Sequence, residues 1–153
     1  MDYFECKTAQ DIMDVCNDFE TQLKAMNDQK AIDDTSSMFN SIRGASSTYN
    51  SPIGRKTGGI IWAARNEHGR AVGLMRLKDE GEHFHLLNVV GIPKAGGGAA
   101  LIDLAKAISM SLGKPLELEA ADNDLIGYYQ RCCFDLKSDS KSRMVWKQDK
   151  QKV

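Results

Sequence analysis

The chemistry this chain offers concentrates between His83 and Ala99. An apolar run, Leu87-Asn88-Val89-Val90, leads through Gly91-Ile92-Pro93 into Lys94-Ala95-Gly96-Gly97-Gly98-Ala99, and a helical apolar pattern begins at once. A strand that enters a glycine-rich loop opening a helix presents unpaired backbone N–H groups and the positive end of a helix dipole. A pyrophosphate is the natural guest of such a loop. Glycine suits it because a side chain would hold the ligand away from the backbone and because some positions take φ > 0. The other phosphate-loop patterns do not fit: there is no G-x-x-x-x-G-K-[ST] and no N-terminal G-x-G-x-x-G. On the strand ahead of the loop, His83-x-His85 puts two imidazoles on one face. With an ordinary pKa near 6.5, a histidine can accept a proton directly or through water. The same spacing suits a strand metal pair, but no third ligand is evident, so no metal is expected.

These groups need elements to hold them. Residues 2–7 read as a first strand, and Thr8 three places before Asp11 resembles a capping box. Ile12, Val15, Cys16, Phe19, Leu23 and Met26 then follow at helical spacing over about 18 residues. Residues 34–49 suggest a second helix around Met38 and Ile42, and Ser46 to Gly59 reads as loop. A hairpin follows, with strands Gly59–Arg65 and Arg70–Leu77 around the turn Asn66–Gly69. A third strand spans His83–Val90. A helix over 99–112 turns Leu101, Leu104, Ala105, Ile108 and Leu112 inward and Asp103, Lys106 and Ser109 outward. Gly113 and Pro115 end it. Pro115–Ala121 is a buried strand, 123–132 a helix, and Ser142–Lys147 the last strand. The expected architecture is one α/β (α+β) domain over residues 1–153, with a mixed, mainly antiparallel sheet.

Composition narrows the class. In 153 residues, 27% are charged and 42% hydrophobic, an ordinary balance for a folded domain. No apolar run approaches the ~20 residues that span a bilayer. No signal peptide is visible, so the expected location is cytoplasmic, without membrane contact. The four cysteines (Cys6, Cys16, Cys132, Cys133) show no zinc spacing and read as reduced, mostly buried thiols. Within a net charge of −1, residues 1–34 hold nine acids against three lysines, a balance of −6, and the remainder sums to +5. Trp62 and Trp146 read as core. Lys137, Lys141, Arg143, Lys147, Lys150 and Lys152 read as a solvated basic end.

The chain resembles the GNAT acetyltransferase superfamily along nearly its whole length. That family's coenzyme A loop reads [Q/R]-x-x-G-x-[G/A], and Lys94-Ala-Gly-Gly97-Gly-Ala99 matches it with lysine in the first place. Leu87-Asn-Val89 falls where the family's fourth strand ends in L-x-V. Downstream, the segment from Asp122 to Phe134 looks like N-x-x-A-x-x-x-Y-x-x-x-G-F. Tyr129 and Phe134 match; Asp122 replaces the Asn, with Asn123 one place late, Leu125 replaces Ala, and Cys133 replaces Gly. The resemblance implies a six- to seven-stranded sheet with about four helices and acetyl-CoA as the cofactor. It implies cofactor contacts along Leu87, Asn88 and Val89, the loop Lys94 to Ala99, and Asn123.

The resemblance further implies direct attack by an amine in a ternary complex. An N–H from the Leu87–Val89 stretch would polarise the thioester carbonyl. Tyr129 would be the general acid, with Tyr128 as fallback. His83, where some members carry a catalytic glutamate, and His85 would be the base, although many members use only water. The first two helices would shape the acceptor site, and their acidity suggests a cationic small molecule or a protein or peptide amine. Near-neutral charge disfavours a nucleic acid acceptor without excluding it; a homodimer stays open. The alternatives are a non-catalytic acyl-CoA-binding module, or a toxin or viral modifier that acetylates aminoacyl-tRNA or a host protein. Gly97→Glu is expected to abolish coenzyme A binding and leave the fold native.

Overall fold

A computed structural model describes residues 1–148. After strand β1 (Asp2–Glu5), Thr8 Oγ1 accepts from the Asp11 amide and Asp11 Oδ2 accepts from the Thr8 amide, a complete capping box. Helix α1 (Ala9–Ala25) then buries Ile12, Val15, Cys16, Phe19 and Leu23 on one stripe. Helix α2 (Gln29–Gly44) starts at Gln29 rather than residue 34. Its first turns are held by the Asp28 cap and by side-chain pairs, Gln29 with Asp33 and Lys30 with Asp34, which carry no apolar period.

The stretch read as loop is partly helical. A turn of 3-10 helix (Ala45–Thr48) precedes α3 (Pro52–Gly58), where Ser51 accepts from the Gly54 amide and Pro52 stands at the start. The chain continues through β2 (Ile60–Arg65), β3 (Ala71–Asp79), β4 (Phe84–Gly91), α4 (Gly97–Ser111), β5 (Leu116–Glu119), α5 (Asn123–Arg131), β6 (Asp135–Leu136) and β7 (Arg143–Trp146). The two-residue β6 is too short to leave a sequence pattern.

The seven strands lie in the order β1-β2-β3-β4-β5-β7-β6, and β4–β5 is the one parallel pairing among the described residues. Helices α1 and α2 pack on one face with Ile61, Ala63, Val72, Leu74 and Val90. On the other face α4 and α5 pack with Met75, Leu77, Phe84, Leu86, Leu118 and Trp146. The face of α4 differs from expectation. It buries Leu101, Ile102, Ala105 and Ser109 and leaves Leu112 59% exposed, because close contact between Gly97 and β3 fixes how the helix is turned. Trp146 is buried as expected, whereas Trp62 is only half-buried.

Cys6 and Cys16 are buried, and burial pushes their thiols up to about 12 and about 11. Cys132 is half-buried, and Cys133 is exposed, against the expectation. Of the basic end, Lys137 is tied to Glu117, while Lys141, Arg143 and Lys147 are exposed. Lys150 and Lys152 lie outside the described residues. Among the described residues no helix is long and apolar enough to cross a membrane, and no group of three His, Cys, Asp or Glu is placed to hold a metal.

Candidate active site

Strand β4 changes partners along its length. Phe84, His85 and Leu86 pair with Leu116, Glu117 and Leu118 of β5, but from Leu87 to Gly91 only β3 flanks it. The β5-side edge of that half carries backbone groups without a neighbouring strand. On the β3 side Arg76 faces Asn88 and Leu77 faces Leu86, so Leu87 is an extra residue, a β-bulge. Plain alternation would put Leu86 and Val89 on opposite faces, yet both join the α4-side core, while Asn88 meets Ser41 of α2. A cleft of about 490 Å³ opens beyond the bulge. It is lined by Val89, Val90 and Gly91, by Ala121, Asp122, Asp124 and Leu125 at the start of α5, and by Lys30, Asp34, Thr35 and Met38 of α2.

The loop after β4 ends in an open helix terminus. Lys94 and Gly96 take φ of 66° and 79°, and the capping residue, Gly96, has no side chain to bond the first turn. The amides of Gly97, Gly98 and Ala99 have no acceptor among the described residues. The three glycines differ in role. Gly96 supplies the left-handed turn. A Cβ on Gly97 would stand 2.3 Å from the Val72 carbonyl oxygen, so this glycine seats α4 directly on β3. A Cβ on Gly98 would meet nothing nearer than Gly91 at 3.9 Å. Gly97→Glu would therefore break the packing of α4 on the sheet, and Gly98→Glu is the variant that spares it. Lys94 and Ala99 are exposed at the rim, and Ala95 packs beside the α1–α2 core.

His83 falls one residue before β4, with Nδ1 at 3.8 Å from Glu117 Oε2. Glu117, 9% exposed, also holds Lys137 Nζ at 3.2 Å. His85 pairs with Lys78 on one side and Glu117 on the other, and its ring lies 6.3 Å from that of His83. Burial, followed by neighbouring His83, lowers the His85 pKa below the usual histidine value. Tyr129 is 6% exposed and packs edge-on against Tyr128 and Phe134 at 5.3 and 5.8 Å. Burial pushes its phenol up to about 12. The ring sits in the core beneath α5 and does not line the cleft, and its hydroxyl has no hydrogen-bond partner among the described residues. Burial also raises Tyr128.

Asp122, in the place of the family's Asn, caps α5 by accepting from the Leu125 amide at 2.9 Å and lines the cleft; Asn123 is exposed and does not. Cys133, in the place of the family's glycine, keeps a left-handed φ of 71°. The acidity of residues 1–34 is largely engaged in structure: Asp11 and Asp28 cap helices, Asp18 binds Arg70 and the Ala71 amide, and Glu20 binds Arg43. Of those nine acids, Asp34 lines the cleft, paired with Lys30 at 2.8 Å. Sequence reasoning missed Glu117 and Arg76. The alternation Leu116-Glu-Leu-Glu119 makes Glu117 look like an ordinary outward strand residue.

No family model and no curated protein matches the chain. Solved structures do. A structure described as histone acetyltransferase HPA2 and related acetyltransferase, from Corynebacterium glutamicum, superposes with TM-score 0.56 at 16% identity, covering 94% of this chain and 92% of that one. The chain has the GNAT fold. AtaTR bound with AcCoA is a second neighbour (TM-score 0.50, 16% identity, 69% of this chain and 78% of that one). AtaT complexed with acetyl-methionyl-tRNAfMet is a third (TM-score 0.50, 12% identity, 64% and 76%).

Proposed function

We propose that this GNAT-fold protein is an acetyl-CoA-dependent N-acetyltransferase acting on a primary amine. The observation that carries the reading is the continuity between the unpaired edge of β4, from Leu87 to Gly91, and the uncapped amides of Gly97, Gly98 and Ala99. That run of backbone donors and acceptors fits coenzyme A. β4 would hold the amide-bearing arm, and the amides at the helix terminus, with exposed Lys94 beside them, would hold the pyrophosphate. The space above Gly98 leaves room for close approach.

When bound, acetyl-CoA supplies a thioester carbonyl carbon as electrophile. The residues of this chain orient and move protons around it. At the Leu87 bulge a β4 N–H would stabilise negative charge developing on the thioester carbonyl oxygen. His85, held neutral by burial, takes a proton from the incoming ammonium, directly or through water, with His83 and Glu117 beside it. Transfer would form a C–N bond as the C–S bond breaks, and Tyr129 is the candidate to return a proton to the leaving sulfur. Asp122 and Asp124, beside the Asp34–Lys30 pair, leave the cleft acidic and favour an ammonium-bearing acceptor.

Calorimetric titration with coenzyme A should show binding to the wild type and its loss in Gly98→Glu, whose acidic side chain in the first turn suits the helix dipole and leaves the fold intact. Thiol release from acetyl-CoA is then measured with small amines, basic peptides and aminoacyl-tRNA. Absence of coenzyme A binding would overturn the reading; binding without turnover of any acceptor would favour the non-catalytic module.

A further inference from the structure

Arg76 is a half-buried cation without a counter-charge. Among the partly buried arginines, Arg43 meets Glu20 at 3.3 Å, Arg55 spends its donors on the Lys7 and Tyr49 carbonyls and Arg65 lies over the Phe4 ring. Arg76, by contrast, has neither an acid in ion-pair range nor an aromatic ring against it among the described residues. Its Nε donates to the Gly58 carbonyl and its Nη1 to Ser41 Oγ at 3.4 Å. Ser41 in turn donates to Asn88 Oδ1 at 3.1 Å. Burial alone lowers its pKa, with no opposite charge to offset the loss of water. Leaving a guanidinium partly desolvated and unpaired is costly, and the structure does not relieve that cost with its own acids.

The position of Arg76 gives this cost a use. It stands on β3 opposite Asn88, at the rung where Leu87 bulges out. The next rung on the same face holds Lys78, His85 and Glu117. Alternate residues of a strand lie ~7 Å apart, so the base and the cation are one small molecule's length from each other. Guanidinium presents a planar fork that matches a carboxylate, and two of its donors are already fixed by Gly58 and Ser41, which orients the rest.

We propose that Arg76 receives the carboxylate of the acceptor, so that the substrate class is a free amino acid rather than a polyamine. This rests on the transferase reading: the acceptor's ammonium lies toward His85 while its carboxylate lies on Arg76. Such an acceptor still carries the positive amine that the acids of the cleft favour. A purely structural Arg76, bonding only Gly58 and Ser41, would show no dependence on the acceptor's carboxylate.

The test uses the full chain with saturating coenzyme A and compares the proteinogenic amino acids with their carboxamides. Ligand-observed NMR reads binding, and thiol release from acetyl-CoA reads turnover. At least one amino acid should bind about 10- to 100-fold tighter than its amide, the range expected for hydrogen bonds to a charged group. Arg76→Met should abolish that preference and Arg76→Lys should restore part of it, with coenzyme A affinity unchanged in both. Equal binding of acid and amide, no amino acid bound while coenzyme A is, or a preference that survives Arg76→Met would each overturn the proposal. Should Arg76→Met fail to fold, the wild-type comparison of acid with amide still decides. Loss of coenzyme A binding in the wild type itself would overturn the transferase reading instead.

Discussion

His85 and Tyr129 differ in what burial does to them. For His85, burial and His83 favour the neutral ring, against weaker opposing pulls from Glu80 and Glu117, while Arg143 adds to the lowering. Its folded pKa is thus depressed below the unfolded value, and the unfolded chain takes up the proton first as pH falls. Its stabilising contribution is complete above about pH 6.5 and is lost as pH drops toward the lower folded value. The same shift keeps a base available in mild acid. The acid limb of kcat/KM should steepen only below about pH 6.5, and His85→Gln should remove that extra slope. A profile unchanged by the substitution would assign proton removal to water. Tyr129, pushed up to about 12, stays protonated throughout the working range and is a reluctant donor until negative charge develops beside it. Tyr129→Phe deletes a hydroxyl that no described residue bonds, so the melting temperature should hold. If Tyr129 is the acid, kcat should fall by ~10² to 10⁴ with coenzyme A affinity retained. Wild-type turnover in Tyr129→Phe would make it a packing residue and bring half-buried Tyr128 forward.

At the scale of the elements, the start of α4 carries two demands that the sequence shows as one glycine run. Gly97 meets β3 so closely that a methyl group would stand 2.3 Å from the Val72 carbonyl oxygen, whereas Gly98 has ordinary room. Gly97→Ala should therefore destabilise the fold by about 1–3 kcal/mol, the usual cost of overpacking. Gly98→Ala should leave the fold at wild-type stability or slightly above it. Denaturant titrations of the two variants decide this, and equal stabilities would mean that α4 shifts freely on the sheet. Nothing in a row of three glycines separates these roles, because they depend on what β3 brings opposite. The strand–loop–helix itself was legible, as were α1, the β2–β3 hairpin and α5, because their apolar periods and caps are local. The first turns of α2 were hidden by polar side-chain pairs, and α3 by the Ser and Gly around it, although Ser51-Pro52 is a helix-start signal. The bulge at Leu87 is a register shift inside the β3–β4 hairpin that no local apolar period marks, and the pairing of His83 with Glu117 joins segments far apart in sequence.

For the whole molecule, the gap between β4 and β5 has a mechanical consequence. Helices α1 and α2 hold one apolar cluster on one face of the sheet, with β2, β3 and Val90 of β4; α4 and α5 hold another on the opposite face, with residues of β2, β3, β4, β5 and β7. Across β4, the sheet is continuous only where Phe84 to Leu86 meet Leu116 to Leu118, and beyond that the cleft separates β4 from the start of α5. A molecule lying along the β4 edge would touch β4, α2, α5 and the α4 terminus together and so tie both clusters. Coenzyme A that binds the folded state alone should stabilise it by ~2.7 kcal/mol at 100 times its Kd. For a chain of this size, each kcal/mol raises Tm by roughly 2–4 °C, so the expected rise is about 5–10 °C. Amide hydrogen exchange should slow at Leu87 to Gly91 and at Gly97 to Ala99, where backbone groups gain partners, and also at the start of α5. The residues of β1, already paired with β2, should change least. A rise in Tm with protection confined to the α4 terminus would mean that the ligand sits on the helix end alone and leaves the β4–β5 gap empty. In that case the unpaired edge of β4 would lose its role in holding the acyl donor.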